Sequence, residues 1–312
     1  MNVVEYDRYG DASVLVLRER PLPVVRPGHV VVRVRAAALN PKDVLTRAGK
    51  YPWLAGRSFP KRVGYDWAGE AVSVGAGVHG VREGDALYGM IQAWRGGACA
   101  EYALVRADEL APRPAGLAWG AAAALPLASL TALQALRDLG ALAAGQRVLL
   151  NGASGGVGVH AIQIAKAFGA HVTTLTSAAT AELARSLGAD ETLDYATWSP
   201  RATPAGYDVI FDIFGNRRFA DLRPLLTARG TFISTVPKPA IILARVRTAL
   251  SHPRARLVVV RSNAADLTAL TALALRGVLR PVVDKTFPLA AIADAQRYLA
   301  TKRARGKVVI TT

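Results

Sequence analysis

Short apolar runs separated by glycine, proline and polar turns fill the first third of the chain. Ala100–Val105 alternates apolar and polar side chains, a period of two that is typical of a β-strand. Val30–Arg35, Gly69–Gly75 and Ala86–Tyr88 are further strand candidates, each beside a turn signal. Many short strands of this kind predict a barrel-like β domain.

Near residue 120 the pattern changes to apolar runs that alternate with helical segments. Arg147–Asn151 and His171–Leu175 are short buried strands, and the helices Val159–Phe168 and Ala181–Leu187 each end at a glycine. The alternation continues with strands at Val209–Asp212 and Thr231–Ser234. It predicts an α/β fold with a doubly wound parallel sheet. The final helices and strands, from about Asp266 to Thr311, are candidates to rejoin the first domain.

Composition narrows the function classes. The chain has 312 residues, of which 51% are hydrophobic, so we expect about two folded domains. A single cysteine, Cys99, excludes a disulfide framework or a cluster of cysteine metal ligands and is expected to be a small core residue. The net charge of +16 favours anions such as a phosphorylated cofactor or an acidic lipid surface. The basic residues are dispersed, so we expect no nucleic-acid partner.

One segment imitates a membrane span. Ala118–Leu136 carries no charge and approaches the roughly 20 residues that a spanning helix needs. It is rich in alanine and contains Pro126, so we predict a buried helix broken at that proline. The first residues lack the apolar core of a signal peptide, and we expect a soluble, cytoplasmic protein.

A dinucleotide fingerprint lies at Val148–Gly158, after a strand and at the start of a helix. Gly155 lets the backbone approach a pyrophosphate, and Gly158 lets helix and strand pack closely, while Ala153 replaces the first glycine of the motif. The helix N-terminus favours the negative charge. The predicted cofactor contacts here are Ala153, Ser154, Gly155, Gly156, Val157 and Gly158.

The residues after the second strand favour NADPH over NADH. Enzymes that use NAD place an acid there to bind the ribose 2′-hydroxyl, and Thr174–Thr180 contains none. Ser177 can donate to a 2′-phosphate, and Arg185 is the nearest downstream cation.

These motifs converge on a family. The chain resembles the medium-chain dehydrogenase/reductase superfamily, in its zinc-free branch of quinone oxidoreductases and enoyl reductases. The resemblance implies a GroES-like β-rich catalytic domain at 1–122, joined by 265–312, and a Rossmann domain at 123–264, with a cleft between them. It rests on motifs at Ala38–Asp43, Val63–Val72, Gly84-Asp85, Gly97–Tyr102, Leu125–Ala132, Asn151–Gly158, Ser186–Glu191, Asp194-Tyr195 and Arg305–Val309.

Departures from zinc-dependent relatives bear on the chemistry. Asn40 and Tyr65 stand where those enzymes have a cysteine and a histidine that bind zinc, so we predict no metal. By resemblance, Asn40 donates to the substrate oxygen, and Tyr51 lies near the acceptor. Tyr65 is a donor or a wall of the site, Asp43 orients its neighbours, and Lys42 is a solvated loop residue.

The resemblance also implies cofactor contacts. Thr131 would lie beside the nicotinamide, and Tyr195 would stack near the 2′-phosphate. Asp212 and Gly215 would frame the turn that the ribose passes. Lys307 would reach the pyrophosphate, with a protective lysine on an edge strand as the alternative.

Residues 239–261 are amphipathic and basic, with a predicted helix at Ile241–Leu250. The segment is a candidate to cap the substrate cleft, to bind an acidic carrier or a membrane surface, or to pack in a dimer. Val258–Val260 is predicted as an edge strand, and the resemblance implies a homodimer.

The sequence therefore predicts a zinc-independent oxidoreductase that transfers hydride from NADPH to a conjugated carbonyl, either a quinone or an α,β-unsaturated ketone or thioester. Two alternatives stay open. One is a tailoring ene reductase dedicated to one natural product, and the other is a non-catalytic NADPH-binding protein with a basic surface.

Overall fold

The computed structural model describes residues 1–52, 56, 58–92 and 96–312, and it divides into two compact units. Unit 1 comprises Met1–Leu130, Arg261–Gly277 and Pro281–Thr312, and unit 2 comprises Thr131–Val260 and Val278–Arg280. The changeovers at 130/131 and 260/261 lie eight and four residues from the predicted domain bounds at 122/123 and 264/265, which stay predictions.

The elements of the described residues are numbered in chain order. The strands are β1 (Asn2–Tyr6), β2 (Val16–Glu19), β3 (His29–Leu39), β4 (Lys61–Arg62), β5 (Asp66–Val74), β6 (Ala86–Met90), β7 (Tyr102–Arg106), β8 (Leu110–Pro112), β9 (Arg147–Asn151), β10 (His171–Thr176), β11 (Glu191–Asp194), β12 (Tyr207–Asp212), β13 (Leu226–Ser234), β14 (Arg254–Leu257), β15 (Val283–Pro288) and β16 (Lys307–Thr311). The α-helices are α1 (Pro41–Arg47), α2 (Trp119–Ala123), α3 (Pro126–Leu133), α4 (Gly156–Ala167), α5 (Ala178–Ser186), α6 (Phe219–Leu222), α7 (Pro239–Arg247), α8 (Ala264–Leu275) and α9 (Ile292–Ala300).

Unit 1 is built around β3, whose valines and alanines alternate with the outward-facing Arg33 and Arg35 before the strand becomes continuously buried. It pairs with β5, β7 and β16, within a sheet of order β15-β16-β3-β5-β6-β8 that β7 joins at β3. A smaller sheet has the order β2-β1-β4. The predicted β-rich, GroES-like fold is confirmed. Because β3 ends at Leu39, the next residue, Asn40, lies at the edge of this core.

Unit 2 holds a parallel sheet of order β11-β10-β9-β12-β13-β14. Counted from β9, this is the strand order 3-2-1-4-5-6 of the Rossmann fold, in which ligands bind where the order reverses. The reversal lies between β9 and β12, whose carboxyl ends are paired at Asn151 and Asp212. The predicted doubly wound sheet is confirmed.

Two details of the predicted elements are settled by the structure. The uncharged segment 118–136 is broken as predicted, into α2 and α3 with Pro126 at the start of the latter. Among the described residues, no helix combines the length and apolar character that crossing a bilayer requires.

The predicted edge strand at Val258–Val260 is wrong. The edge strand is β14, three to four residues earlier, because Arg254–Leu257 pairs with Thr231–Ser234 and the valines follow the last paired residue. The predicted homodimer stays a prediction.

Candidate active site and its cofactor cradle

The turn between β9 and α4 is a tight glycine cradle. Gly152 has a φ of +92°, a left-handed conformation that side chains rarely adopt. A Cβ on Gly158 would lie 2.3 Å from the carbonyl oxygen of Gly152, so only glycine fits there. A Cβ on Gly155 would instead meet no atom closer than 3.8 Å. Gly158 therefore closes the turn, and Gly155 leaves a bare surface at the helix N-terminus.

The other predicted members of the cradle line this turn. Ala153 is fully buried and Ser154 is half-buried, both between β9 and the helix. Helix α4 begins at Gly156 after the N-cap Gly155, so the first turn, including Val157, presents N–H groups that intrahelical bonding does not use. Such groups suit an anion.

A buried polar contact fixes the neighbouring turn, at the point where the strand order reverses. The Nδ2 of Asn151 donates to Asp212 Oδ1 over 2.6 Å, and the backbone N–H of Gly215 donates to the same oxygen over 3.0 Å. Gly215 has a φ of +71°, and a Cβ there would lie 2.2 Å from Val236 Cγ2. Asp212 and Gly215 thus shape the turn after β12, and the passage of a ribose beside it stays a prediction.

Hydroxyl groups cluster at the carboxyl end of β10. Ser177 Oγ lies 3.0 Å from Thr180 Oγ1, which also hydrogen-bonds to Thr176 Oγ1. The N–H of Tyr195 donates to the Thr176 carbonyl over 3.0 Å, and its side chain is 56% exposed. The structure therefore brings the predicted Ser177 and Tyr195 together, and adds Thr176 and Thr180.

Arg185 does not join this hydroxyl cluster. The guanidinium of Arg185 donates to Thr192 Oγ1 and pairs with Glu182, so these side chains, and not the hydroxyl cluster, hold it. Thr131 is buried within α3, and its place beside the nicotinamide stays a prediction.

In unit 1, three segments distant in the chain meet in one buried network. Lys307 Nζ donates to Asn40 Oδ1 over 2.6 Å and to Asp66 Oδ2 over 2.8 Å, and Asn40 Nδ2 donates to Asp66 Oδ2 over 2.9 Å. Asp66 Oδ1 accepts from the N–H of Leu127. Lysine is only a donor and carboxylate only an acceptor, so the network fixes the orientation of the Asn40 amide.

Asp43 hydrogen-bonds to two backbone segments, and its role in orienting the site stays a prediction. Its carboxylate accepts from the backbone N–H groups of Asn40 over 2.8 Å and Gly64 over 2.9 Å. It thereby ties the start of α1 to the segment between β4 and β5. Burial raises the pKa of Asp43 to about 6, against the opposing effect of those two hydrogen bonds.

This raised pKa makes stability depend on pH. An aspartate in the unfolded chain has a pKa of about 4. The folded protein therefore binds the Asp43 proton more tightly than the unfolded chain does. The stability it contributes is present below about pH 4 and lost as pH rises to about 6, a change of roughly 3 kcal/mol. Urea unfolding at a series of pH values should show this fall, and Asp43→Asn should flatten it. If the free energy of unfolding changes equally with pH in the wild type and in Asp43→Asn, Asp43 does not titrate in this pH range.

Lys42 is not the predicted solvated loop residue. It lies in α1, half-buried, with its Nζ 3.8 Å from the centroid of the Tyr65 ring. Burial lowers the pKa of Lys42 and raises that of Tyr65. The two side chains form a cation–π pair beside Asp43. Tyr51 lies four residues after α1 and is half-buried.

The chain is similar to known proteins along nearly its whole length. Residues 26–115 match the alcohol dehydrogenase GroES-like domain, and residues 187–310 match a model described as zinc-binding dehydrogenase. The chain is 33% identical to the chloroplast envelope quinone oxidoreductase homolog of Arabidopsis thaliana, over 99% of this chain and 98% of that one. The chain belongs to the quinone oxidoreductase branch of the medium-chain dehydrogenase/reductase superfamily.

Other members of this superfamily are similar to this chain over nearly its whole length. An NADPH-dependent alkenal/one oxidoreductase of Arabidopsis thaliana is 36% identical, over 98% of this chain and 78% of that one. The structure of a quinone oxidoreductase from Coxiella burnetii has a TM-score of 0.91 at 30% identity, covering 100% of this chain and 99% of that one. The chain is therefore an oxidoreductase of this superfamily.

Both predicted roles of Lys307, on an edge strand or on the pyrophosphate, need correction. β16 is paired with β15 on one side and β3 on the other, so Lys307 is not on an edge strand. Its ammonium is committed to Asn40 and Asp66 and its side chain is 2% exposed, which does not support the predicted contact with a pyrophosphate.

Sequence reasoning missed Asp66, Thr176 and Thr180. Asp66 directly follows Tyr65, one of the two replaced ligand positions, and that adjacency was an available signal. Among the residues that the structure describes, no group of three or more His, Cys, Asp or Glu side chains is arranged to hold a metal ion.

Proposed function

We propose that this protein transfers hydride from NADPH to a conjugated carbonyl, a quinone or an α,β-unsaturated ketone or thioester, without zinc. The names of the two Arabidopsis relatives, a quinone oxidoreductase homolog and an NADPH-dependent alkenal/one oxidoreductase, support the substrate class. The observation that carries the proposal is the network at Asn40, where a carboxamide takes the place of a metal-binding thiolate and is held in one orientation.

The residues of unit 2 fit a nicotinamide dinucleotide. Gly155 leaves room for a pyrophosphate that a side chain would fill, and the first turn of α4 offers N–H donors to it. Ser177 and Thr180 offer hydroxyls near the exposed Tyr195 ring, where a 2′-phosphate would bind. When bound, NADPH supplies the hydride.

Asn40 would stabilise the charge that develops on the substrate. Hydride addition to a conjugated carbon leaves negative charge on an oxygen, and a fixed N–H donor aimed there stabilises the transition state. Asn40 Nδ2 carries two N–H groups, and the described contact with Asp66 uses one. Lys307 and Asp66 act as positioning residues, because they keep the carboxamide from rotating.

The proton that completes the reaction would come from Tyr51 or from solvent. Tyr65 has a raised pKa and faces the Lys42 ammonium with its ring, so it serves better as a wall of the site than as an acid. Lys42, whose pKa is lowered by burial, adds a positive charge beside it that favours an anionic product.

The experiment that tests the proposal follows NADPH oxidation by absorbance with matched simple quinones and enones. Turnover of either class supports it, and Asn40→Ala should then lower kcat about a hundredfold, the effect typical of losing one oxyanion donor. If only quinones are reduced, Asn40 is the residue with the main role in the reaction. If enones are reduced, Tyr51 is the first residue to substitute. If NADPH binds and neither class is reduced, the dedicated tailoring reductase or the non-catalytic alternative replaces the proposal.

The wild-type protein should bind NADPH more tightly than NADH, because no carboxylate follows β10. Ser177→Asp should reverse this preference and weaken NADPH at least about tenfold, since a carboxylate there repels the 2′-phosphate. Titration of cofactor fluorescence measures both constants. Arg185→Gln is the control, and it should change little because Glu182 and Thr192 hold that side chain. Equal wild-type affinities would contradict the assignment of Ser177 and Tyr195.

Exhaustive dialysis against a chelator should leave turnover unchanged, because Asn40 and Tyr65 replace two metal-binding side chains with poor ligands. Turnover before and after dialysis is compared at equal protein concentration. Activity that is lost and then restored by zinc would overturn the zinc-independent mechanism.

A further inference from the structure

Helix α7 exposes apolar side chains on the side that faces away from its own unit. Ile241 is buried in the core of unit 2, and Ala244 packs against that core. By contrast, Ile242, Leu243 and Val246 are 50%, 49% and 69% exposed, and Leu250, just after the helix, is 99% exposed. At 3.6 residues per turn, the three helical residues form one stripe opposite Ile241.

Arginines border this stripe on both flanks. On the helical wheel, Arg245 lies beside Ile242 and Arg247 lies beside Leu243, and both arginines are exposed. An outward apolar stripe between two rows of cations is the arrangement of helices that lie in the interface of a bilayer. We call Ile242, Leu243, Val246, Leu250 and the flanking arginines the α7 patch.

The surrounding sequence is uniformly basic. Between Asp221 and Asp266 the chain has eight Lys or Arg residues and no Asp or Glu. The edge strand β14 contributes Arg254 and Arg256. Burial lowers the pKa of Arg256, and the charges of Arg254 and Arg245 lower it further. A cluster of this kind attracts a dense array of anions.

We propose that the α7 patch binds the surface of an anionic lipid bilayer, with its aliphatic side chains in the headgroup region and its arginines on lipid phosphates. A second copy of the chain would bring two basic surfaces together, which like-charge repulsion opposes. Residues 233–286 contain no Phe, Trp or Tyr, so the patch lacks the stacking side chains that single-stranded nucleic acid uses.

The test is co-sedimentation of the full chain with phosphatidylcholine vesicles that contain phosphatidylglycerol, and with vesicles of phosphatidylcholine alone. The wild type should bind the anionic vesicles, and the binding should weaken with salt. Arg245→Gln combined with Arg247→Gln should reduce partitioning roughly 25-fold, since each cation near such a surface contributes about fivefold. Leu243→Ser combined with Val246→Ser should also reduce it without changing the charge.

Two double variants serve as controls. Arg201→Gln with Arg303→Gln removes the same charge from exposed sites elsewhere, and Leu22→Ser with Val24→Ser removes exposed apolar residues elsewhere. Both should bind like the wild type, and thermal melting checks that every variant folds.

Several results would overturn the proposal. These are the absence of binding to anionic vesicles, and equal binding to anionic and neutral vesicles. They also include a loss of binding in the Arg201/Arg303 control as large as in the Arg245/Arg247 variant, and wild-type binding by the Leu243/Val246 variant. A change in oligomeric state on substitution of the α7 patch, measured by light scattering, would show that a second copy covers it instead.

Discussion

Replacing Lys307 with methionine should lower the free energy of unfolding by about 3–5 kcal/mol, the usual cost of breaking a buried ion pair. The Lys307 and Asp66 side chains are 2% and 0% exposed, so the substitution leaves a carboxylate in the core without its cation. It also removes the donor that fixes the Asn40 carboxamide. We therefore expect kcat to fall in the folded variant, with less change in cofactor affinity. Urea unfolding and steady-state kinetics measure the two effects.

The matched control is Lys166→Met. Lys166 Nζ lies 2.9 Å from Asp190 Oδ2, close to the 2.8 Å between Lys307 and Asp66, but these side chains are 36% and 31% exposed. The loss of stability should therefore stay below about 1 kcal/mol. Adding Asp66→Asn to the Lys307 variant should recover part of the lost stability, because it removes the unpaired charge. Unchanged stability together with a large loss of NADPH affinity would restore the pyrophosphate role for Lys307.

Alanine at Gly158 should disrupt unit 2, whereas alanine at Gly155 should leave its fold intact. The Cβ at position 158 would lie 2.3 Å from a backbone oxygen that cannot move without opening the turn. Overpacking of this kind costs about 1–3 kcal/mol or more, and it would displace α4 from the proposed pyrophosphate site. At position 155 the same methyl group has room in the free protein and would meet only a bound cofactor.

Thermal melting and NADPH titration separate the two glycines. Gly158→Ala should lose both stability and binding. Gly155→Ala should melt like the wild type and bind NADPH about tenfold more weakly, which corresponds to about 1.4 kcal/mol. Normal NADPH binding by Gly155→Ala would place the pyrophosphate elsewhere.

Much of the site in unit 2 was predictable because its residues are close in the sequence. The fingerprint at 148–158 encodes its own turn, with a strand before it and a helix after it, so local patterning was sufficient. Ser177 was found because it directly follows the second parallel strand, whereas Tyr195 was named from the family resemblance; the two strands that precede them are paired in the sheet. Thr180 was missed because the hydroxyl cluster depends on side-chain directions that periodicity does not carry.

The partners of Lys307 could not be predicted in the same way. Its contacts join residues separated by 267 and 241 positions in the chain, and nothing in the local pattern around Lys307 identifies Asn40 or Asp66 as the other ends. A lysine at the first position of a strand has many possible counterions until packing selects one. The prediction for Lys42 was wrong for a related reason, because its environment is set by Tyr65 on a different segment.

By itself, the sequence determined the two kinds of sheet, the break at Pro126 and the glycine cradle, because hydrophobic period, proline and glycine act over a few residues. Only the tertiary structure decided which charges are buried together in unit 1 and that α7 presents its apolar stripe outward. Those outcomes depend on which surfaces the folded chain brings into contact, and burial, unlike periodicity, is a property of the whole unit.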